Sequence, residues 1–212
     1  MKIWSAFWKW WSPDIVNVSH ETNQGSIKSG SKDSSINAGI IKIKHEKDKG
    51  SITMIITSRA VKNGKFEDQY GKRGADMGYS IPFKITDAPT GTKSYAVFLE
   101  DRDAVPVCGF SWIHWTIANL KRTELFENES RTANDFVQGT NSDYGAIVGK
   151  PREEARGFTG FAPPDAPHEY DLQVYALDAE LDLKEGFFMN ELFKAMRGYV
   201  LGHAVLRAVY DN

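Results

Sequence analysis

The sequence predicts a mainly β fold, a β-sandwich with one helix near its C-terminal end. Three observations carry that prediction. Runs rich in β-branched and aromatic residues recur along the chain, and loops rich in Gly, Pro, Asp and Asn separate them. No strand-helix alternation links these runs, and helical periodicity is confined mainly to the last third.

Taken in chain order, residues 1–11 place Trp4, Phe7, Trp8 and Trp11 at spacings of three and four, one face of a short helix. Such a face needs a cover, either its own domain or the partner in a homodimer. An interfacial membrane helix is the alternative, for which Lys2 and Lys9 offer weak attraction to anionic lipid. Residues 12–37 are mostly Ser, Asn, Lys and Gly and read as a polar linker. The expected organisation is therefore an N-terminal segment over 1–37 and a domain over 38–212.

Within that domain, residues 39–45 and 51–58 are β-branched runs joined by charged residues ending in Lys49-Gly50, a hairpin signal. Further strands are expected over 93–100, 111–120, 170–178 and 201–210. Asn190 is placed to cap a helix over 191–199, with Leu192, Ala195, Met196 and Tyr199 on one face. In a sandwich the strands are scaffold and the loops at their ends carry binding groups, which singles out 101–109 and 157–167.

Composition narrows the function. A chain of 212 residues, 41 % hydrophobic and 12 % aromatic, can bury a sizeable core, and a net charge of −2 with both signs interspersed argues against a nucleic-acid partner. The single cysteine, Cys108, rules out an intrachain disulfide and gives no zinc-ligand spacing. Lys2, Ser5 and Lys9 interrupt what would be the apolar part of a leader, and no run is apolar enough to span a membrane, so a cytoplasmic location is expected. The stretch from Gly145 to Lys150 is one residue short of a phosphate-binding loop and is followed by Pro151, and no Gly-x-Ser-x-Gly elbow occurs. Neither a nucleotide cofactor nor a serine hydrolase is expected.

Chemistry-bearing residues gather in three segments: Asp101 and Asp103 after one strand, His114 within the next, and Pro163, Pro164, His168 and Tyr170 before and within a third. Asp101 and Asp103 at i and i+2 share one side of an extended chain, and strand pairing brings His114 to them, where a carboxylate raises an imidazole pKa. A partly protonated imidazole beside the amides of a Pro-rich loop is suited to an anion such as phosphate. The same groups suit a metal that activates water, so a metal-dependent hydrolase stays open.

Asp-x-Asp-Ala, then His-Trp ahead of an Asn, then Pro-Pro followed by His-x-Tyr, resembles the phosphatidylethanolamine-binding protein family, also called Raf kinase inhibitor-like proteins, in its bacterial branch. The resemblance runs from about Ile52 to Tyr210 and includes the stretches Ala88–Ser94 and Val174–Asp178. It implies a phosphatidylethanolamine-binding-protein-like β-sandwich that binds small anions or phospholipid headgroups without catalysis or metal. The pocket residues carried over are Asp101, Asp103, His114, Pro163, Pro164, His168 and Tyr170. It also implies a homodimer and, in some relatives, inhibition of a kinase or protease through surface contacts. Three positions depart from the pattern: Arg102 stands where Pro is usual, Gly160-Phe161 where Gly-Pro is usual, and Glu169 where Arg is usual. Arg102 is expected to add positive charge for an anion and Glu169 to remove some.

Overall fold

The computed structural model describes residues 54–212. The Trp-rich segment, the polar linker, the proposed domain boundary at 37/38 and the 39–45 half of the expected hairpin lie outside the described residues. Ten strands are described: β1 Ile55–Thr57, β2 Val61–Lys62, β3 Lys65–Phe66, β4 Phe83–Thr86, β5 Ser94–Asp101, β6 Trp112–Leu120, β7 Glu124–Leu125, β8 Val137–Gln138, β9 His168–Leu177 and β10 Val200–Tyr210. Three short helices join them: α1 Val105–Cys108, α2 Glu129–Thr132 and α3 Met189–Ala195. The four long strands lie within two residues of their expected limits. The Asn63-Gly64 turn between β2 and β3 is an element the sequence reading omitted, although both residues adopt positive φ as a tight two-residue hairpin requires.

A large sheet has the order β2-β3-β10-β9-β5-β6-β8 and a small one the order β1-β4-β7. Their facing sides share one core, in which Ile56, Phe83 and Ile85 of the small sheet pack with Leu99, Trp115 and Leu172 of the large one. Trp115 is fully buried, and its indole N–H donates to Gln138 Oε1 at 2.8 Å, so its one polar atom is satisfied. The outer side of the large sheet is covered at one end by α3, whose Leu192 and Met196 pack with Ala96, Ala118 and Phe187. Covered on both sides, β5 buries all eight of its residues. The cap of α3 differs from expectation. Phe188 is the N-cap residue, its backbone N–H donating to Glu191 Oε2 at 2.7 Å, and Asn190 lies inside the helix.

Register fixes which side chains meet. Asp101, at the end of β5, lies opposite Tyr170 on β9 and opposite Trp112 on β6. Between the pairs Leu99↔Trp115 and Glu100↔Ile113, β6 carries one extra residue, His114. Strict alternation would turn His114 away from its neighbour Trp115 and out of the sandwich. The bulge turns it inward instead, so its ring packs 5.2 Å from Tyr170 and 5.5 Å from Phe161.

Candidate functional site

At this end of the large sheet β9 begins with His168, whose ring is held between two carboxylates. Nδ1 donates to Asp101 Oδ2 at 2.7 Å and Nε2 donates to Asp165 Oδ1 at 2.9 Å. Both partners are acceptors, so each nitrogen carries a proton and the ring is an imidazolium. Burial opposes that charge, but the bonds to Asp101 and Asp165 outweigh it and raise the pKa above its ordinary value. The two carboxylates are not equivalent. Asp101 is 5 % exposed, and its Oδ1 also accepts from the Ala104 N–H at 3.1 Å, which fixes the turn after β5. The Asp165 side chain is 58 % exposed and sits on the loop ahead of β9.

His114 behaves in the opposite way. It is 3 % exposed, and its Nδ1–H donates to the Thr159 carbonyl at 2.9 Å. Burial lowers its pKa, against the pull of that carbonyl and of the Asp101 charge. The expectation that a carboxylate raises the His114 pKa is therefore corrected: the directly bonded acid belongs to His168, and desolvation wins at His114. Thr159 is held in turn by Asp143, whose Oδ2 accepts from Thr159 Oγ1 at 3.0 Å and from Lys150 Nζ at 2.6 Å.

Tyr170, on the same side of β9 as His168, is fully buried, and its hydroxyl makes no close hydrogen bond, the Asp101 carboxylate being the acceptor that acts on it. Burial and then the Asp101 charge raise its pKa, so it stays a neutral phenol. Phe161 forms the floor, its ring 4.2 Å from Tyr170 and 4.6 Å from Phe66. The position where Pro is usual is thus a core aromatic whose N–H donates to the Tyr70 carbonyl at 3.2 Å.

Not every expected residue comes to this point. Asp103 follows the end of β5, is exposed, and its Oδ2 accepts from the Glu169 backbone N–H at 2.9 Å. The i, i+2 argument fails because the chain turns after Asp101, and Asp103 clamps the start of β9. Pro163 is buried with its carbonyl accepting from Lys72 Nζ at 2.6 Å, while Pro164 is exposed. Arg102 and Glu169 belong to the outer side of the sheet. Arg102 pairs with Glu100 at 2.6 Å and lies 3.4 Å from Asp171, and Glu169 lies 3.7 Å from Arg207. Neither departure changes the charge facing His168. Asp165, Thr159 and Phe161 are contacts the sequence reading did not assign to the site. An acid three residues before a loop histidine was the available signal for Asp165.

Two surface hollows lie elsewhere. One of about 240 Å³ is lined by Phe110, Ile113, Ser142, Tyr144 and Phe188, and one of about 200 Å³ lies beside Arg59, Lys84 and Glu124. None of the expected site residues lines either. Among the described residues, no group of three or more His, Cys, Asp or Glu is arranged to hold a metal ion.

The fold defines the class of protein first. A β-sandwich of this kind is seen in the crystal structure of a phosphatidylethanolamine-binding protein homologue from Chlamydia trachomatis, 31 % identical with a TM-score of 0.65, covering 76 % of this chain and 99 % of that one. It is seen again in Escherichia coli YbcL, described as a member of the mammalian family, at 25 % identity and a TM-score of 0.61 over 75 % of this chain and 98 % of that one. The chain belongs to the phosphatidylethanolamine-binding protein family, whose model matches residues 57–211. Among sequence relatives, the uncharacterized protein YxkA of Bacillus subtilis is 42 % identical over 144 residues, 66 % of this chain and 86 % of that protein. A Chlamydia muridarum relative is 35 % identical over 75 % of this chain and 99 % of its own length.

Proposed function

We propose that the protein is a non-catalytic binding protein whose site takes the phosphoryl group of a small anion or a phospholipid headgroup. The observation that carries the reading is the His168 imidazolium, anchored from behind by buried Asp101 and directing Nε2–H to the exposed Asp165 carboxylate, itself an anion. A charge-assisted donor in a fixed direction is what an oxyanion needs, and the buried Tyr170 hydroxyl adds a neutral donor close by. Family membership supports a binding role. The arrangement also disfavours proton-transfer catalysis. A doubly bonded imidazolium cannot accept a proton, and no Ser or Thr hydroxyl and no Cys thiol among the described residues is hydrogen-bonded to either imidazole.

Calorimetric titration of wild type and His168→Ala with inorganic phosphate and phosphoethanolamine tests this, alongside co-sedimentation with phosphatidylethanolamine vesicles. Binding by wild type that is lost in a folded His168→Ala variant is the expected result. Equal binding by both proteins, or none by wild type to any probe, sinks the proposal. Turnover of a phosphate ester that chelator abolishes would instead favour the hydrolase.

A further inference from the structure

Asp165 is an unusual partner for a site histidine. Asp101 reaches His168 from the end of β5, is buried, and is pinned by a second bond from the Ala104 N–H. Among the described residues, the Asp165 carboxylate is held by its contact with Nε2 and by local loop bonds, and more than half of its surface is exposed. It can leave by rotating its own side chain, without moving the backbone between Pro164 and Pro167. It also occupies the one face of the imidazolium that an incoming anion would use.

Resting on the anion-binding reading above, we propose that Asp165 is an internal competitor that occupies the anion position and sets specificity, disfavouring monocarboxylates and admitting phosphoryl groups. A free carboxylate makes the bond that Asp165 already makes, but it pays the entropy of association, whereas the tethered group acts at an effective concentration in the millimolar range or above. Acetate or a carboxylate metabolite, no better a ligand than the resident group, therefore competes at a disadvantage. A phosphoryl group does not. Asp165 satisfies one donor with one oxygen, while the fully buried Tyr170 hydroxyl makes no close bond and has only Asp101 acting on it as an acceptor. A phosphoryl group carries three acceptor oxygens and can serve His168 Nε2–H and a further donor together. The resident carboxylate is in this sense an incomplete ligand, and the complete one displaces it.

The groups that face His168 are consistent with an exchange of this kind. Asp101 faces it from β5 and Asp165 from its own loop, and the neutral His114 faces the same site from β6. Tyr210 lies opposite His168 on β10. Withdrawing Asp165 frees His168 Nε2–H alone, whereas withdrawing Asp101 would free both His168 Nδ1–H and the Ala104 amide.

The test titrates wild type, Asp165→Ala and Asp165→Asn with inorganic phosphate, with vesicles containing phosphatidylethanolamine, and with millimolar acetate. An internal competitor closed about 90 % of the time weakens apparent affinity about tenfold, so both variants should bind the phosphoryl probe about tenfold more tightly than wild type. Both should also bind acetate about tenfold more tightly than wild type does. A gain read with phosphate marks a free phosphoryl ligand, and a gain read only with vesicles marks a lipid headgroup; either supports the competitor. Phosphoryl binding of equal or lower affinity in both variants overturns it while leaving the anion site intact. No phosphoryl binding by any of the three proteins removes the anion reading itself, and the competitor with it.

Discussion

Replacing Asp101 with Asn should cost more stability at pH 6 than at pH 9. The folded His168 pKa is raised above its ordinary value of 6.5, so the stabilisation from its charge is fully present below that value. It is lost as pH rises through the folded pKa. Asp101 and His168 are 5 % and 3 % exposed, so solvent screens their bond little. Breaking a buried pair from one side costs about 3–5 kcal/mol. Asp165 retains a share of the imidazolium charge, which puts the expectation at the low end, about 3 kcal/mol at pH 6. Asn also turns an N–H toward the Nδ1–H, donor against donor, if its oxygen keeps the Ala104 amide. At pH 9 a neutral His168 can present the Nδ1 lone pair to the Asn amide, and the loss falls to about 1 kcal/mol or less. With a urea slope of about 2 kcal/mol/M, the midpoint should drop by about 1.5 M at pH 6 and by about 0.5 M or less at pH 9. Urea denaturation of both proteins at both pH values reads this directly. A destabilisation that is the same at the two pH values, or larger at pH 9, would refute a charged His168 held by Asp101.

Other outcomes follow from the same geometry. Tyr170→Phe removes a buried hydroxyl that makes no close hydrogen bond, so unliganded stability should hold or rise by up to about 1 kcal/mol, while calorimetry shows weaker phosphate binding. Weaker stability with unchanged binding would mean that the hydroxyl is structural. Phe161→Ala empties a site ringed by Phe66, His114, Tyr170 and Tyr210 and should cost about 3–5 kcal/mol in chemical denaturation, with loss of ligand binding. Gly160→Ala should fail to fold to the same structure, because a Cβ there would meet the Met77 carbonyl oxygen at 1.6 Å; a native-like circular dichroism spectrum and melting curve would contradict that placement. Asp143→Ala should release Thr159 and, through its carbonyl, the orientation of His114, seen as a shift of the His114 ring signals in NMR without loss of the fold.

The long strands were legible because β5, β6, β9 and β10 are rich in apolar, β-branched and aromatic residues and are bounded by turn-forming loops. His168, Tyr170 and Asp101 were legible as neighbours for a related reason: each lies at or near a strand end, and antiparallel pairing brings such ends together. Asp103 was not, because whether the chain continues straight or turns after Asp101 is settled by the Asp101–Ala104 and Asp103–Glu169 bonds, which are made at the turn and across the sheet. His114 was assigned to the right place on an argument that does not hold. Alternation along 111–115 puts it on the side opposite Trp115, and only the extra residue in β6 reverses that. Its pKa was misjudged because desolvation depends on the rings of Phe161 and Tyr170, which come from a loop and another strand. The α3 boundary moved because the side chain of Glu191 found the Phe188 amide, a choice that propensity alone does not rank above Asn190.

The position of β10 has a consequence for how the protein is made. It follows the other described strands in the sequence, yet it is not at an edge: it lies between β9 and the β2–β3 hairpin, with Val209 paired in parallel to Lys65. Until residues 200–210 emerge, β9 has one side unpaired and the hairpin has no sheet to join. The growing chain therefore carries exposed strand edges until those residues are made, and the large sheet closes in one step that waits on them.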